Sequence, residues 1–169
     1  MQKKIKLKVN GVWKYGWAQA GQSLLDFLRK DLFCTEVKHG CGRGDCGACT
    51  IMMNGKAVNS CLVLALQAEG ATILTSKGLG TKENLHPLQR AFIKKGAIQC
   101  GFCTPGMILA AKELLDKNKN PSREEIQRGL SGNLCRCTGY KKIVDAVESA
   151  AQEMTESSKN FNNIEEAGI

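Results

Sequence analysis

Aromatic side chains make up only 5% of this 169-residue chain, and it holds two histidines and three prolines. With so few rings, neither half of the chain can rest on a large aromatic core. His39 and His86 have no partnered nucleophile in a recognisable motif, so no Ser-His-Asp or Cys-His arrangement is legible. No Walker loop is present. No apolar run reaches eighteen residues, so no membrane-spanning helix is expected. The first segment, MQKKIKLKVNGVW, carries charge but no apolar stretch of signal-peptide length, and a twin-arginine signal is missing. These absences predict a cytoplasmic chain whose thiols stay reduced.

Against this sparse background stand nine cysteines. An odd number argues against a closed disulfide framework. A chain of this length makes one ordinary domain or two small ones, and small folds often need a metal or disulfide staple. Metal ligation is therefore the leading reading. The net charge of +8 raises the question of nucleic acid. The lysines are spread along the chain, however, without a dense basic run or interleaved aromatics, so no nucleic-acid partner is expected. A solvated surface or a docking face for an acidic partner fits better.

Local patterns divide the chain in two. Lys4 to Val9 alternates charged and apolar residues, Asn10-Gly11 suits a type I′ turn, and Val12 to Trp17 returns as a second strand. Ser23 caps a helix to Arg29. Thr50 to Met53, Asn54-Gly55 and Lys56 to Val58 form a second hairpin, and Ala71 to Thr75 a last strand. From Lys77 the pattern becomes helical. The segments are Pro87 to Lys95, Thr104 to Lys117 with Thr104 as cap, Ser122 to Leu130 with an S-x-x-E capping box, and one from Thr138–Tyr140 to Met154. The expected units are residues 1–76, a linker 77–84, a helical unit 85–154 and a polar tail 155–169.

The segment GCGRGDCGACTIMMNG, Gly40 to Gly55, supports two readings. Gly42, Gly44 and Gly47 spell G-x-G-x-x-G, the dinucleotide fingerprint. That motif needs a buried strand before it and a helix after it. Glu36 to His39 make a poor strand, and a hairpin follows. The cysteines read better. Cys41-x4-Cys46-x2-Cys49, with Cys61 beyond the hairpin, has the plant-type [2Fe–2S] spacing. Three thiolates from one loop need a tightly curled backbone, which glycine permits. Arg43 and Lys38 lie close enough in sequence to offset a cluster's negative charge.

A second set, Cys100-x2-Cys103 and Cys135-x-Cys137, falls in loops before the second and fourth helices. Both helix N-termini would face the site, and their positive ends suit thiolates. For each set a four-thiolate zinc site is the alternative, in a zinc-stabilised interaction module with no redox role. A free-standing ferredoxin-like carrier is a further alternative. Cys34 lies outside both patterns and reads as a small buried hydrophobe.

With eight cysteines placed, GCGRGDCGACT, SCLVLA, QCGFCTPGMILAAKELL and LSGNLCRCTGY together resemble the small iron–sulfur subunit of the molybdenum hydroxylases, the xanthine oxidase family. The resemblance runs from about Lys4 to Glu153. It implies an α+β chain: an N-terminal β-grasp, plant-ferredoxin-like domain, then a C-terminal four-helix-bundle domain, each with one [2Fe–2S] cluster. It implies ligands Cys41, Cys46, Cys49 and Cys61 for the first, and Cys100, Cys103, Cys135 and Cys137 for the second. Gln99 and Cys137 match positions that contact the pterin. Molybdopterin, in a dinucleotide form, and FAD would sit on partner subunits: a large molybdopterin-binding chain and an FAD-binding chain, in a heterotrimer or a dimer of heterotrimers. The expected role is electron relay during oxidation of a purine or other N-heterocycle, with aldehyde, CO or aromatic acyl-CoA as alternative substrates. No substrate chemistry is expected on this chain itself.

Overall fold

The computed structural model describes the backbone of residues 2–166 and the side chains of residues 2–157. Strand β1, Gln2–Val9, turns at Asn10 and Gly11, both at positive φ, into β2, Val12–Gln19. Ser23 then caps a helical segment, α1, Leu24–Asp26, by accepting a hydrogen bond from the Asp26 amide. The helix widens into a π-turn over Phe27–Asp31, closed by Leu32 N–H donating to the Phe27 carbonyl. Strands β3, Thr50–Met53, and β4, Lys56–Asn59, make the second hairpin around Asn54 and Gly55, again at positive φ. Strand β5, Thr72–Leu74, is short.

The five strands form one sheet in the order β2-β1-β5-β3-β4. β1 and β5 are parallel and the other pairs antiparallel. Period-two alternation sends Ile5, Leu7, Val9, Ile51 and Ile73 to one face, where they bury Leu24, Leu25, Phe27 and Leu28. Gly16 sits under the Phe27 ring: a Cβ there would lie 2.7 Å from it, so the strand passes this close only without a side chain.

Four helices follow: α2, Pro87–Lys94; α3, Thr104–Lys117; α4, Arg123–Leu130; and α5, Lys141–Glu166. They enclose a second core that includes Leu88, Phe92, Met107, Leu115, Ile126 and Val147. Each start has a physical cause. His86 Nδ1 accepts from the Leu88 amide, and Gln89 reaches back to the His86 amide. Ser122 and Glu125 make the reciprocal capping box. α3 also covers the outer face of the sheet at β3. Met52, which points away from the first core, is buried there.

Two expectations change. The cap of α3 is Cys103, and Thr104 is already helical. Pro105 therefore stands at the second helical position, where its missing N–H is still harmless. A polar tail is expected from Thr155, but α5 continues to Glu166. No glycine or proline lies between Lys141 and Glu166 to stop it. Residues 167–169 of the expected tail lie outside the described residues. Among the described residues no helix is long and apolar enough to cross a membrane.

Candidate metal centres

The first centre is built on the loop from Gly40 to Cys49. Gly42, Gly44 and Gly47 all adopt positive φ, which lets the chain curl around the thiols. A Cβ on Gly40 would sit 2.6 Å from the Cys46 sulfur. The curl aims amides at sulfur: Cys41 N–H donates to Cys46 Sγ at 3.3 Å, and Asp45 N–H to Cys41 Sγ at 3.2 Å. The loop is tied to β4 by Asn59 Nδ2 donating to the Gly44 carbonyl at 3.1 Å. Cys61 arrives on a 3-10 turn, Ser60–Leu62. Turns and bends precede the loop, and a strand follows it, so the frame of a dinucleotide site is missing.

The thiols approach in pairs, Cys41 with Cys46 and Cys49 with Cys61. The Arg43 amide, with help from Cys46 and Asp45, lowers the Cys41 pKa to about 7. Burial and the neighbouring Cys49 push Cys61 up to about 11. Arg43 is ion-paired with Asp45 at 2.5 Å, which offsets its charge. The Lys38 ammonium donates to the Thr35 carbonyl. The oriented amides, more than these cations, favour negative sulfur here.

The second centre lies where the loop before α3 meets the loop before α5. Cys100 and Cys137 are exposed with sulfurs 3.7 Å apart, while Cys103 pairs with the half-buried Cys135. Cys103 caps α3 without a side-chain hydrogen bond to the helix. Burial dominates and pushes Cys103 up to about 12. At Cys135 burial works in the same direction. It is outweighed by hydrogen bonds from the Thr138 hydroxyl, at 3.1 Å, and from the Thr138 and Cys137 amides, giving about 7. The Cys135 amide donates to the Tyr140 hydroxyl at 2.8 Å. Cys137 is raised by the Cys100 thiol beside it.

The paired arrangement bears on the choice of metal. A single zinc needs all four sulfurs about 2.3 Å from one point. A [2Fe–2S] cluster instead takes two thiolates on each of two irons, a demand that thiols already grouped in pairs fit.

The centres are joined by contacts that the spacing of cysteines does not show. Leu134 N–H donates to the carbonyl of Cys46 at 2.9 Å. Buried Asn133 donates to the Gly47 carbonyl at 2.9 Å and to Thr50 Oγ1 at 3.2 Å. Glycines make the approach close: a Cβ on Gly106 of α3 would lie 2.4 Å from the Gly47 carbonyl oxygen, and one on Gly47 would lie 2.4 Å from that of Gly132. The loop of the first centre thus hydrogen-bonds to the residues just before Cys135 of the second. The only trace in the sequence is the glycine–asparagine pair ahead of LCRC.

Among the remaining expected residues, Gln99 is exposed and precedes Cys100, whose sulfur lies by that of Cys137. Ile98, Phe102 and Leu134, their neighbours in the chain, are exposed. Cys34 is buried in the first core, and burial raises its thiol pKa. His86 caps α2.

Residues 7–75 match the family described as the 2Fe-2S iron-sulfur cluster binding domain, and residues 75–148 match the [2Fe-2S] binding domain. The chain is 50% identical over 148 residues to the nicotinate dehydrogenase small FeS subunit of Eubacterium barkeri, covering 88% of this chain and 94% of that one. It is 48% identical over 148 residues to an aldehyde oxidoreductase of Megalodesulfovibrio gigas, covering 86% of this chain but only 16% of that protein. Among solved structures, quinoline 2-oxidoreductase from Pseudomonas putida 86 superposes with a TM-score of 0.87 at 42% identity, over 92% of this chain and 97% of that one.

Proposed function

The chain belongs to the small iron–sulfur subunits of the molybdenum hydroxylase family, and from that premise we propose that it is the electron-transfer subunit of a multi-subunit enzyme oxidising an N-heterocycle. The nicotinate and quinoline enzymes among its relatives support that substrate class. The aldehyde oxidoreductase match, nearly as high, supports an aldehyde as the second reading. The proposed partners are a large molybdopterin-binding subunit and an FAD-binding subunit. In finer detail the fold is read as a β-grasp ferredoxin-like unit followed by a four-helix bundle.

The proposed ligands are Cys41, Cys46, Cys49 and Cys61 for one cluster and Cys100, Cys103, Cys135 and Cys137 for the other. When bound, each [2Fe–2S] cluster supplies a one-electron carrier. The chain's own residues do the rest. Oriented amides at Cys41 and Cys135 favour thiolate, which metal binding needs. The exposed Gln99–Cys100–Cys137 edge is proposed to face the molybdopterin subunit, with Gln99 donating or accepting a hydrogen bond at the pterin. The Cys46 to Leu134 hydrogen bond holds the two ligand loops at a fixed separation.

The observation that carries this reading is the approach of eight thiols in four pairs, two pairs on each of two loop regions joined by the Cys46–Leu134 main-chain hydrogen bond. Metal analysis and EPR of the reduced complex test it. About four irons per chain with two distinct rhombic signals are expected; a colourless chain holding zinc would sink the proposal. The Gln99→Ala complex should retain both signals but be reduced more slowly by substrate. Loss of either signal in that variant would contradict the assigned role of Gln99.

A further inference from the structure

The first 25 residues hold five lysines and no aspartate or glutamate. The structure gathers most of that charge onto one surface. The face of the β1–β2 hairpin turned away from the core carries Lys4, Lys6 and Lys8 on one strand and Trp17, Tyr15 and Trp13 directly opposite on the other. Lys6 Nζ lies 5.1 Å from the centre of the Trp13 ring, and Lys4 Nζ 5.8 Å from that of Tyr15. Trp13 is 45% exposed, Tyr15 and Trp17 59% each. Among the described residues Lys4, Lys6 and Lys8 have no carboxylate partner, whereas neighbouring Lys3 is ion-paired with Glu69. The same face of the sheet is already a docking surface at its other end, where α3 lies over β3. The β1–β2 half is open.

Rings this large and this exposed are unusual on a sheet face that meets only water. Trp and Tyr are the side chains that anchor protein interfaces, and uncompensated lysines select an acidic counterpart. Other occupants fit less well. Two copies of the face would bring like charges together. A nucleic acid would stack its bases on ring faces, and two of the three rings carry an ammonium group over them.

We propose that this lysine–aromatic face seats an acidic, partly apolar surface of a partner subunit. The proposal rests on the reading that the chain works within a multi-subunit complex. It adds a contact distant in sequence from the Gln99–Cys100–Cys137 edge.

The test is a lysine-acetylation footprint of the whole complex against the isolated chain, read by mass spectrometry, together with titration of the chain with the purified molybdopterin- and FAD-binding subunits. Lys4, Lys6 and Lys8 should be protected at least fivefold in the complex, and Trp fluorescence should shift to the blue. The K4E/K6E/K8E variant should bind at least tenfold more weakly and lose most of its salt dependence, with its visible cluster spectrum unchanged. If the complex forms and these lysines react as fast as in the free chain, or the variant binds equally well, the proposal is overturned while the functional reading stands. If no complex forms with those subunits, both fall. Equal protection by phosphatidylglycerol vesicles alone, or by self-association of the isolated chain, would also overturn it.

Discussion

Alanine at position 106 sets two physical effects against each other. Gly106 lies in the first turn of α3, and replacing a helical glycine by alanine favours the helix by up to about 1 kcal/mol. An isolated helix would be stabilised. Here the new methyl would lie 2.4 Å from the Gly47 carbonyl oxygen and 3.0 Å from Asn133 Nδ2. An ordinary contact begins at 3.4 Å, so α3 and the Gly47 loop must separate by 3.4 − 2.4 = 1.0 Å. The obstacle is main chain, held by Thr50 and Asn133, and cannot swing aside. Overpacking of this kind costs about 3 kcal/mol. The net loss is about 2 kcal/mol, or an apparent melting point lower by about 4–8 °C for a chain of this size. Differential scanning fluorimetry of wild type and Gly106→Ala at one scan rate measures it. EPR of the reduced proteins gives a second readout, because the magnetic interaction between the two centres weakens as their loops part. A variant that melts higher, as helix propensity alone dictates, and keeps the wild-type interaction would refute the close approach of Gly47 and Gly106.

The remaining tests are independent of that contact pair. Asn133→Ala removes two buried hydrogen bonds, and Gly47 O keeps its Thr50 donors, so the expected loss is about 2 kcal/mol by denaturant unfolding; a change under 0.5 kcal/mol would show that Asn133 does not hold the units together. His86 is held below its ordinary 6.5 by burial, so the unfolded chain takes up a proton first as pH falls. The stability it contributes is complete above about pH 6.5 and is lost as pH drops through the lower folded-state value. His86→Asn keeps a capping acceptor and should flatten that part of the pH–stability curve, and an unchanged slope would remove His86 as its cause. In the cluster-free chain, iodoacetamide should label Cys41 and Cys135 with midpoints near pH 7, well before Cys61 near 11 and Cys103 near 12. A common midpoint near 9 for all four would show that the oriented amides and burial have no effect.

Features set by neighbours in the chain were legible in the sequence. Asn10-Gly11 and Asn54-Gly55 marked both hairpins, and Ser122 with Glu125 marked the start of α4. The cysteine spacing marked two candidate quartets, and in the structure Cys41 lies beside Cys46, Cys49 beside Cys61, Cys103 beside Cys135 and Cys100 beside Cys137. What was hidden depends on pairing across the fold. Asn133 and Gly47 are far apart in the chain, and the Gly132-Asn133 pair does not by itself say which carbonyl the asparagine reaches. Along the chain Lys4, Lys6 and Lys8 lie on β1 and Trp13, Tyr15 and Trp17 on β2, with Lys14 set between two of the rings. The lysine–aromatic face arises only once β1 and β2 are in register, and the expectation of no interleaved aromatics missed both Trp13-Lys14-Tyr15 and this pairing across the sheet. The cap of α3 was misplaced by one residue because threonine is the better capping side chain, yet the helix starts where the cysteine is held beside its partner.

The contact between the two ligand loops bears on how such a chain can be recombined. Although the family profiles divide at residue 75, the surfaces that meet are main chain and glycine, shaped to within a methyl group. A hybrid joining the first 75 residues to a helical half from a distant relative would inherit this fit only if positions 47, 106 and 132–134 came from one parent. The two halves are therefore poor interchangeable cassettes. Crossovers that split those positions should yield chains whose halves fold but do not lock together.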